Sequence, residues 1–222
     1  MLRILSVLAG VLITVAFAMV LFYAPIELNM GLVQKVFYFH MAAAWVGMLA
    51  FLMAVIFAIQ FLRIRDLKWD YLEASSVEIG LVFTLVANLS GMIWAKAAWN
   101  TWWTWDPRLT TTTIMAFTYI AYLLLRRGVD DPQKRAQFGA IYAIIGFATV
   151  PLTFFSARLL RTIHPILIGA GMDMNLTPEM LHTMIVSVIA FTVLYSALVI
   201  FRADIMTRQE AHKDAHLIEE DY

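Results

Sequence analysis

The sequence predicts an all-α membrane protein that spans the bilayer about six times, as one domain over residues 1–222. Hydrophobic residues make up 62% of the 222 positions and the mean hydropathy is +0.76, whereas soluble domains are about 45–50% apolar. The chain also contains several apolar runs of the ~20 residues that a helix needs to cross a bilayer. Because these runs lack the alternating pattern of barrel strands, and because lipid cannot satisfy a free backbone, each is expected to be a helix.

Window hydropathy separates six apolar segments. They are Ile4–Tyr23, Phe37–Leu62, Ile79–Ala95, Thr110–Leu125, Phe138–Phe155 and Met184–Phe201. The first segment also has features of a signal peptide, with a basic Arg3 and small residues at Ala16 and Ala18. Its apolar run is longer than the core of about 7–15 residues in a signal peptide, which favours a retained span over a cleaved one.

The basic residues of the loops are unevenly divided between the two sides. One side holds eleven, which are Arg3, Arg63, Arg65, Lys68, Arg126, Arg127, Lys134, Arg135, Arg202, Arg208 and Lys213, and the other holds five, which are Lys35, Lys96, Arg108, Arg158 and Arg161. The positive-inside rule therefore predicts that both termini are cytoplasmic and that the loops near 24–36, 96–109 and 156–183 lie outside. The charged tail after Arg202 is expected to be solvated.

Two absences limit the chemistry of this chain. It contains no cysteine, which excludes disulfides, a thiolate metal site and thioether attachment of a cofactor. It also contains no Walker A motif, so any use of ATP must belong to a partner.

The most unusual stretch runs from Trp94 to Thr113 and reads WAKAAWNTWWTWDPRLTTTT. Five of the seven tryptophans of the chain fall between Trp94 and Trp105. An aromatic belt at the membrane interface accounts for one or two indoles, but not readily for five so close together. Flat indole faces would form a surface for a large planar apolar ligand, with Lys96 and Arg108 available to acidic groups on its rim.

Two of the five histidines are candidate ligands. His40 lies about one turn inside the second span, where an ionisable residue is a functional candidate, and His164 lies in the outer loop after the fifth span. Two imidazoles can occupy both faces of a haem iron, although a membrane histidine is often only a packing residue. We interpret His182 as an interfacial residue, and His212 and His216 as solvated residues of the tail.

Other polar residues favour structural roles. Glu78 is expected to be an interfacial charge at the start of the third span, and Ser90 and Asn88 to bond to neighbouring helices. Gly91 would permit close packing, and the threonines at 110–113 would cap the fourth span or bond back to the preceding turn.

The sequence resembles the haem-handling family of cytochrome c assembly proteins in three elements. They are the tryptophan-rich segment, FHMAAAW at His40 and RTIHP at His164. Within that family, the six spans and the order of the elements are similar to haem exporter protein C of the cytochrome c maturation system. The resemblance runs from about Val36 to Pro165, and its WGxWWxWD-type motif is the most specific part. Asn100 stands where the pattern has a small residue such as glycine.

The resemblance implies a multi-pass protein of the bacterial inner membrane that is not an enzyme and that binds haem b transiently at the periplasmic face. His40 and His164 would be the axial ligands of the iron. The platform for haem and chaperone would comprise Trp99, Trp102, Trp103, Trp105 and Asp106. Lys96, Arg108, Arg158 or Arg161 would suit the propionates of haem, and Arg108 would also be the local counter-charge of Asp106. Implied partners are a periplasmic haem chaperone, the subunits of an ATP-binding cassette complex and a small single-span membrane protein, with no nucleic acid.

Two alternatives remain open from the residues alone. A cytochrome b-like electron-transfer subunit would also hold haem between histidines, but it would place both within spans. A transporter without haem would require polar residues or broken helices at mid-membrane depth, for which Asn88, Ser90 and Pro151 are the only indications.

Overall fold

A computed structural model describes residues 2–28, 30–164 and 176–220, with the backbone alone for 213–220. The described residues form seven α-helices and no β-strand; the helices are α1 Leu2–Ala18, α2 Val36–Ile64, α3 Leu67–Trp99, α4 Pro107–Arg127, α5 Pro132–Gly146, α6 Thr149–Leu159 and α7 Pro178–Glu220. A π turn (Met19–Tyr23) extends α1 and a 3-10 turn (Leu32–Lys35) precedes α2. Since α5 and α6 together form one span, six helical units are long and apolar enough to cross a membrane, which confirms the predicted fold class.

Small residues bring α2 and α3 into close contact. A Cβ atom added at Gly47 of α2 would lie 2.7 Å from the Thr84 hydroxyl of α3, and one added at Gly80 of α3 would lie 2.6 Å from the Ala50 Cβ of α2. In a membrane, where lipid is as apolar as a side chain, such close approach is a principal source of helix association. This contact fixes the two helices that carry His40 and the tryptophan-rich segment.

Helix α3 begins earlier than hydropathy predicts. The expected start was Ile79, but the helix starts at Leu67, after Asp66 caps its first turn. Asp70 and Glu73 lie in the added turns and are fully buried. Arg126 of α4 forms a bidentate pair with Asp70, with 2.8 Å between Nη2 and Oδ2. A hydropathy window scores a charged residue as unfavourable in a membrane. Pairing with Arg126 of another helix allows Asp70 to be buried there.

The predicted fifth segment is two helices rather than one continuous helix. Helix α5 ends at Gly146 and α6 starts at Thr149, with the break just before Pro151. A proline has no backbone N–H and its ring clashes with the carbonyl four residues earlier, here that of Phe147. The Thr149 hydroxyl donates to the Gly146 carbonyl at 2.7 Å and stabilises the junction.

The last helix is much longer than its apolar core. Helix α7 continues through the charged tail to Glu220. Arg208 and His212 in this stretch are exposed, which is consistent with the predicted solvation of the tail. Arg202 of α7 donates to both carboxylate oxygens of Glu78 at 2.6 and 3.1 Å, and Arg135 of α5 lies 3.4 Å from Glu210. Glu78 is therefore a partner of α7 rather than a free interfacial charge.

Candidate functional site

A narrow cavity lies between α2, α3 and α4, at the end of the bundle where α3 stops and α4 begins. Its polar and aromatic lining comprises His40, Trp94, Trp99, Arg108, Asn88 and His164. The remaining walls are mostly apolar and include Met41, Ala44 and Met48 of α2. Its volume is about 60 Å³, well below the ~300–1,000 Å³ of typical ligand pockets, so a large ligand would be only partly enclosed.

His40 is held by the neighbouring helix through one ring nitrogen. Its Nδ1 lies 3.0 Å from the Ala87 carbonyl and 3.2 Å from the Ser90 hydroxyl. The carbonyl requires a donor, so Nδ1 carries the proton and Nε2 is left with a lone pair. A backbone carbonyl that fixes the tautomer in this way is a common support for a metal-binding imidazole.

Gly91 of α3 provides the space for this imidazole. A Cβ atom at residue 91 would lie 3.0 Å from His40 Cε1 and 3.4 Å from Nδ1. Any larger side chain would push against the ring. The sequence predicted close packing at Gly91 but did not assign it to the site, because the packing partner lies on another helix.

His164 enters the cavity from the loop after α6. Its ring is 6.3 Å from that of Trp99 and its Nδ1 is buried without a hydrogen-bond partner among the described residues. Burial, reinforced by the charge of Arg108, lowers the pKa of His164 to about 4. The imidazole is thus neutral at neutral pH, which is the form that binds metal. Pro165, which ends the RTIHP element, lies outside the described residues.

The tryptophans of the motif divide into two groups. Trp94 and Trp99 form an inner pair that lines the cavity, with their rings edge to face at 5.2 Å. Trp102, Trp103 and Trp105 form an outer trio that does not line it; Trp102 is 54% exposed and Trp105 82% exposed. The predicted platform included Trp99 but missed Trp94, although Trp94 begins the same cluster in sequence.

Asp106 connects the tryptophan-rich loop to the loop of His164. Its carboxylate accepts hydrogen bonds from the Thr162 hydroxyl, at 2.8 and 2.6 Å from its two oxygens, and from the Ile163 N–H at 2.9 Å. It also accepts from the Arg108 N–H at 2.9 Å and so caps α4. Burial raises the pKa of Asp106, but the hydrogen bonds from Thr162, Ile163 and Arg108 outweigh burial and hold that pKa below its usual range.

Arg108 lines the cavity and does not pair directly with Asp106. Among the described residues its guanidinium forms no salt bridge with Asp106, although the two charges interact at longer range, and the hydrogen bond to the carboxylate comes from its backbone N–H. Two other candidate cations have partners elsewhere, since Lys96 donates to the Asn100 side chain at 2.9 Å and Arg158 lies over the Phe154 ring at 5.8 Å.

Asn100 ends α3 in the left-handed conformation, with φ 56° and ψ 22°. Glycine adopts this conformation most readily and asparagine is the next most common choice. The departure from the family pattern at Asn100 therefore preserves the backbone turn that sends the chain into the tryptophan-rich loop.

His182 and His212 lie away from the cavity. His182 stacks on Tyr23, and its Nδ1 lies 3.2 Å from the Tyr23 hydroxyl. His212 is exposed on α7, and the side chain of His216 is outside the described residues. Among the described residues no group of three or more His, Cys, Asp or Glu side chains is arranged to hold a metal ion. Two histidines are enough to bind a metal ion whose remaining ligands come from its own organic ring.

Comparison with known proteins agrees with this geometry. A family model described as Heme exporter protein C matches residues 1–216. The Heme exporter protein C of Bradyrhizobium diazoefficiens is 31% identical over 176 residues, which are 79% of this chain and 67% of that protein. The Heme exporter protein C of Escherichia coli is 27% identical over 198 residues, 89% of this chain and 80% of that protein. A putative cytochrome c biosynthesis ccmC-like mitochondrial protein of Marchantia polymorpha is 29% identical over 141 residues, 64% and 59% of the two chains.

Six helical units long and apolar enough to span a membrane, with a cavity lined by histidine, tryptophan and arginine at one end, define a multi-pass membrane protein. The match over residues 1–216 then identifies the family: the chain belongs to the haem exporter protein C family.

Proposed function

We propose that this protein binds haem b at the periplasmic face of the bacterial inner membrane, between His40 and His164, and delivers it to a periplasmic haem chaperone for cytochrome c maturation. The observation that carries the proposal is that imidazoles from two distant parts of the chain line one cavity beside Trp94 and Trp99. The names of the relatives, Heme exporter protein C, support the same role.

The donor set is suited to haem iron. His40 holds its proton on Nδ1, while His164 is neutral and has a buried ring nitrogen without a hydrogen-bond partner in the part of the chain that the structure describes. Two imidazoles would fill both axial positions and leave no position open for oxygen. A chain that carries haem without using it benefits from that protection.

The other walls fit the rest of the molecule. The rings of Trp94 and Trp99 would contact the apolar porphyrin, and the guanidinium of Arg108 would bind a propionate, which guanidinium groups recognise well. The cavity of about 60 Å³ would leave much of the ring outside. Partial enclosure suits transfer to a partner, whereas a redox subunit would be expected to enclose its haem.

A cytochrome b-like role is less well supported. In such a protein the two histidines face each other from within helices. Here His40 is on a helix, but His164 is in a loop held by the Thr162 and Ile163 contacts to Asp106. A loop can release its ligand with little change to the helical bundle, which favours delivery over retention.

The outer trio is proposed as the contact surface for the chaperone. Trp105 is 82% exposed and Trp102 is 54% exposed, and tryptophan is strongly enriched at the energetic centres of protein interfaces. Since no nucleotide-binding motif is present in the chain, an ATP-binding cassette complex would supply any ATP hydrolysis. A small single-span membrane protein completes the proposed assembly. On this proposal the chain itself catalyses no reaction.

Haem loading and haem delivery can be separated by substitution within the tryptophan motif. Trp99→Phe should lower the haem content of the purified protein, because a smaller ring covers less of the porphyrin. The triple variant of Trp102, Trp103 and Trp105 to Phe should keep its haem content but lower the yield of haem-loaded chaperone in the same cells.

The measurements are haem per chain by absorbance and haem-loaded chaperone by haem staining. Full delivery of haem to the chaperone by the triple variant would show that the outer trio is only an aromatic belt at the membrane interface. A wild-type protein that binds no haem, alone or with the chaperone, would refute the proposed function.

A further inference from the structure

A second cavity, which we name the lateral groove, opens on the side of the bundle between α2 and α6. Its volume is about 360 Å³. Its walls are Trp45, Leu49 and Leu52 from α2, and Pro151, Phe154 and Phe155 from α6. Trp45, Leu52, Phe154 and Phe155 are 42–50% exposed and lie in helices long enough to span the membrane. The groove therefore faces the lipid rather than the aqueous phase.

The lateral groove adjoins the histidine cavity. Met41, Ala44 and Met48 on α2, and Arg108 on α4, line both spaces. The partition between them thus consists of one small side chain, two methionines and one arginine. Methionine is unbranched and flexible, so this partition can open by rotation of side chains without a movement of the helices.

The chemistry of the groove matches one class of ligand. Its long walls are apolar and partly aromatic, while its inner end carries the guanidinium of Arg108. Among the described residues this guanidinium has no salt-bridge partner. A lipid acyl chain would fit the apolar walls, but it has no group that could pair with the guanidinium of Arg108. A flat apolar ring that bears carboxylates on one edge would satisfy both features.

We propose that the lateral groove is the port through which haem passes from the bilayer into the cavity of His40 and His164. This inference rests on the proposed haem-binding function and adds the direction of entry. Haem would enter with its carboxylate edge towards Arg108, and its ring would slide between α2 and α6 past Met41 and Met48.

The test compares two side chains one helical turn apart on α2. Leu52 lines the lateral groove and is 42% exposed, whereas Ile56 is 41% exposed and does not line it. Leu52→Trp should obstruct the groove, and Ile56→Trp adds the same bulk to the lipid-facing surface outside it. A second pair on α6 is Phe155→Trp, within the groove, and Leu152→Trp, outside it.

Each protein is reconstituted in phosphatidylcholine vesicles and mixed with phosphatidylcholine vesicles that contain ferric haem. The rise of the protein-bound haem spectrum gives the rate of uptake, and its final amplitude gives the amount bound. Leu52→Trp and Phe155→Trp should load several-fold more slowly than Ile56→Trp and Leu152→Trp, and all four should reach the wild-type amplitude.

Equal rates of haem uptake in all four variants would refute the proposal that the lateral groove is the port for haem. It would also be overturned if the two groove variants lost amplitude without a change in rate, because the groove would then be part of the binding site rather than its entrance. If the wild-type protein gave no bound-haem spectrum at any time, the proposed function itself would fail, and that result is distinguishable from failure of the port alone.

Discussion

At the scale of single residues, the site depends as much on the supports of the histidines as on the histidines themselves. The structure places His40, His164, Trp99 and Arg108, which the sequence motifs singled out, in the lining of one cavity. That they bind haem stays a prediction. They did not reveal the contact of Gly91 with His40, because it links two helices and has no local pattern. Arg108, the predicted counter-charge of Asp106, forms no salt bridge with it among the described residues, and hydrogen bonds from the His164 loop bind the carboxylate.

Gly91→Ala should weaken haem binding while the protein stays folded. The added methyl group would lie 3.0 Å from His40 Cε1, so the imidazole must shift by a few tenths of an ångström. A haem titration of the purified variant measures the loss of affinity. Gly10→Ala is the matched control, because a Cβ atom there meets nothing within 4 Å. An unchanged haem affinity in Gly91→Ala would show that the ring of His40 is not constrained by this contact.

Asp106→Ala should lower both haem binding and haem transfer. The sequence predicted that Asp106 belongs to a platform for haem and chaperone, where it could orient the loop or contact the partner. The bonds from Thr162 and Ile163 now indicate that loss of the carboxylate frees the loop that presents His164. Asp66→Ala is a suitable control, since Asp66 caps α3 in the same way but is remote from the cavity. Full binding with impaired transfer would favour the partner-contact interpretation.

At the scale of secondary structure, hydropathy predicted the six spans, but it did not predict the early start of α3, the extension of α7 or the division of the fifth span. The early start of α3 and the long extension of α7 both depend on charges that meet partners on other helices, as Asp70 meets Arg126 and Glu78 meets Arg202. A window average cannot include such partners, because they lie far away in sequence. The division of the fifth span at Pro151, by contrast, follows from a local rule that the sequence contains.

The Asp70–Arg126 pair provides a test of how α3 and α4 are held together. Both side chains are buried, with 0% and 11% exposure, and Arg126→Met would leave Asp70 as an uncompensated buried charge. The expected loss of stability is about 3–5 kcal/mol, measured by thermal unfolding in detergent. The double variant Asp70→Leu with Arg126→Met should recover much of this loss.

Lys68→Met is the comparison, because Lys68 pairs with Asp66 on the surface, where its side chain is 63% exposed. Its removal should leave the unfolding temperature unchanged, as exposed pairs contribute little. A loss of stability in Lys68→Met as large as that in Arg126→Met would show that burial does not determine how much these ion pairs contribute to stability.

At the scale of the whole molecule, the histidine cavity and the tryptophan motif lie at one end of the bundle, and the ion pairs of Asp70, Glu78 and Arg135 lie at the other. The excess of basic residues at the ion-paired end predicts that this end is cytoplasmic. Delivery to a periplasmic chaperone requires that orientation.

Single cysteines in this cysteine-free chain test the orientation. Arg161→Cys, at the cavity end, and Asp130→Cys, at the opposite end, both replace exposed residues. In intact cells with the outer membrane opened, an impermeant thiol reagent should label Arg161→Cys but not Asp130→Cys, which should react only after the inner membrane is permeabilised. The reverse order of labelling would place the histidine cavity on the cytoplasmic side.

The central claim is that His40 and His164 bind the same haem iron, and rescue of a truncated ligand by imidazole tests it most directly. His164→Gly and His40→Gly are each titrated with haem, and the absorbance spectrum is recorded before and after free imidazole is added. His182→Gly is the control, because His182 stacks on Tyr23 away from the cavity. The account predicts that both cavity variants lose the six-coordinate spectrum and regain it with imidazole, while His182→Gly retains it throughout. A six-coordinate spectrum in His164→Gly without imidazole, together with its loss in His182→Gly, would contradict the account and assign the second ligand to His182.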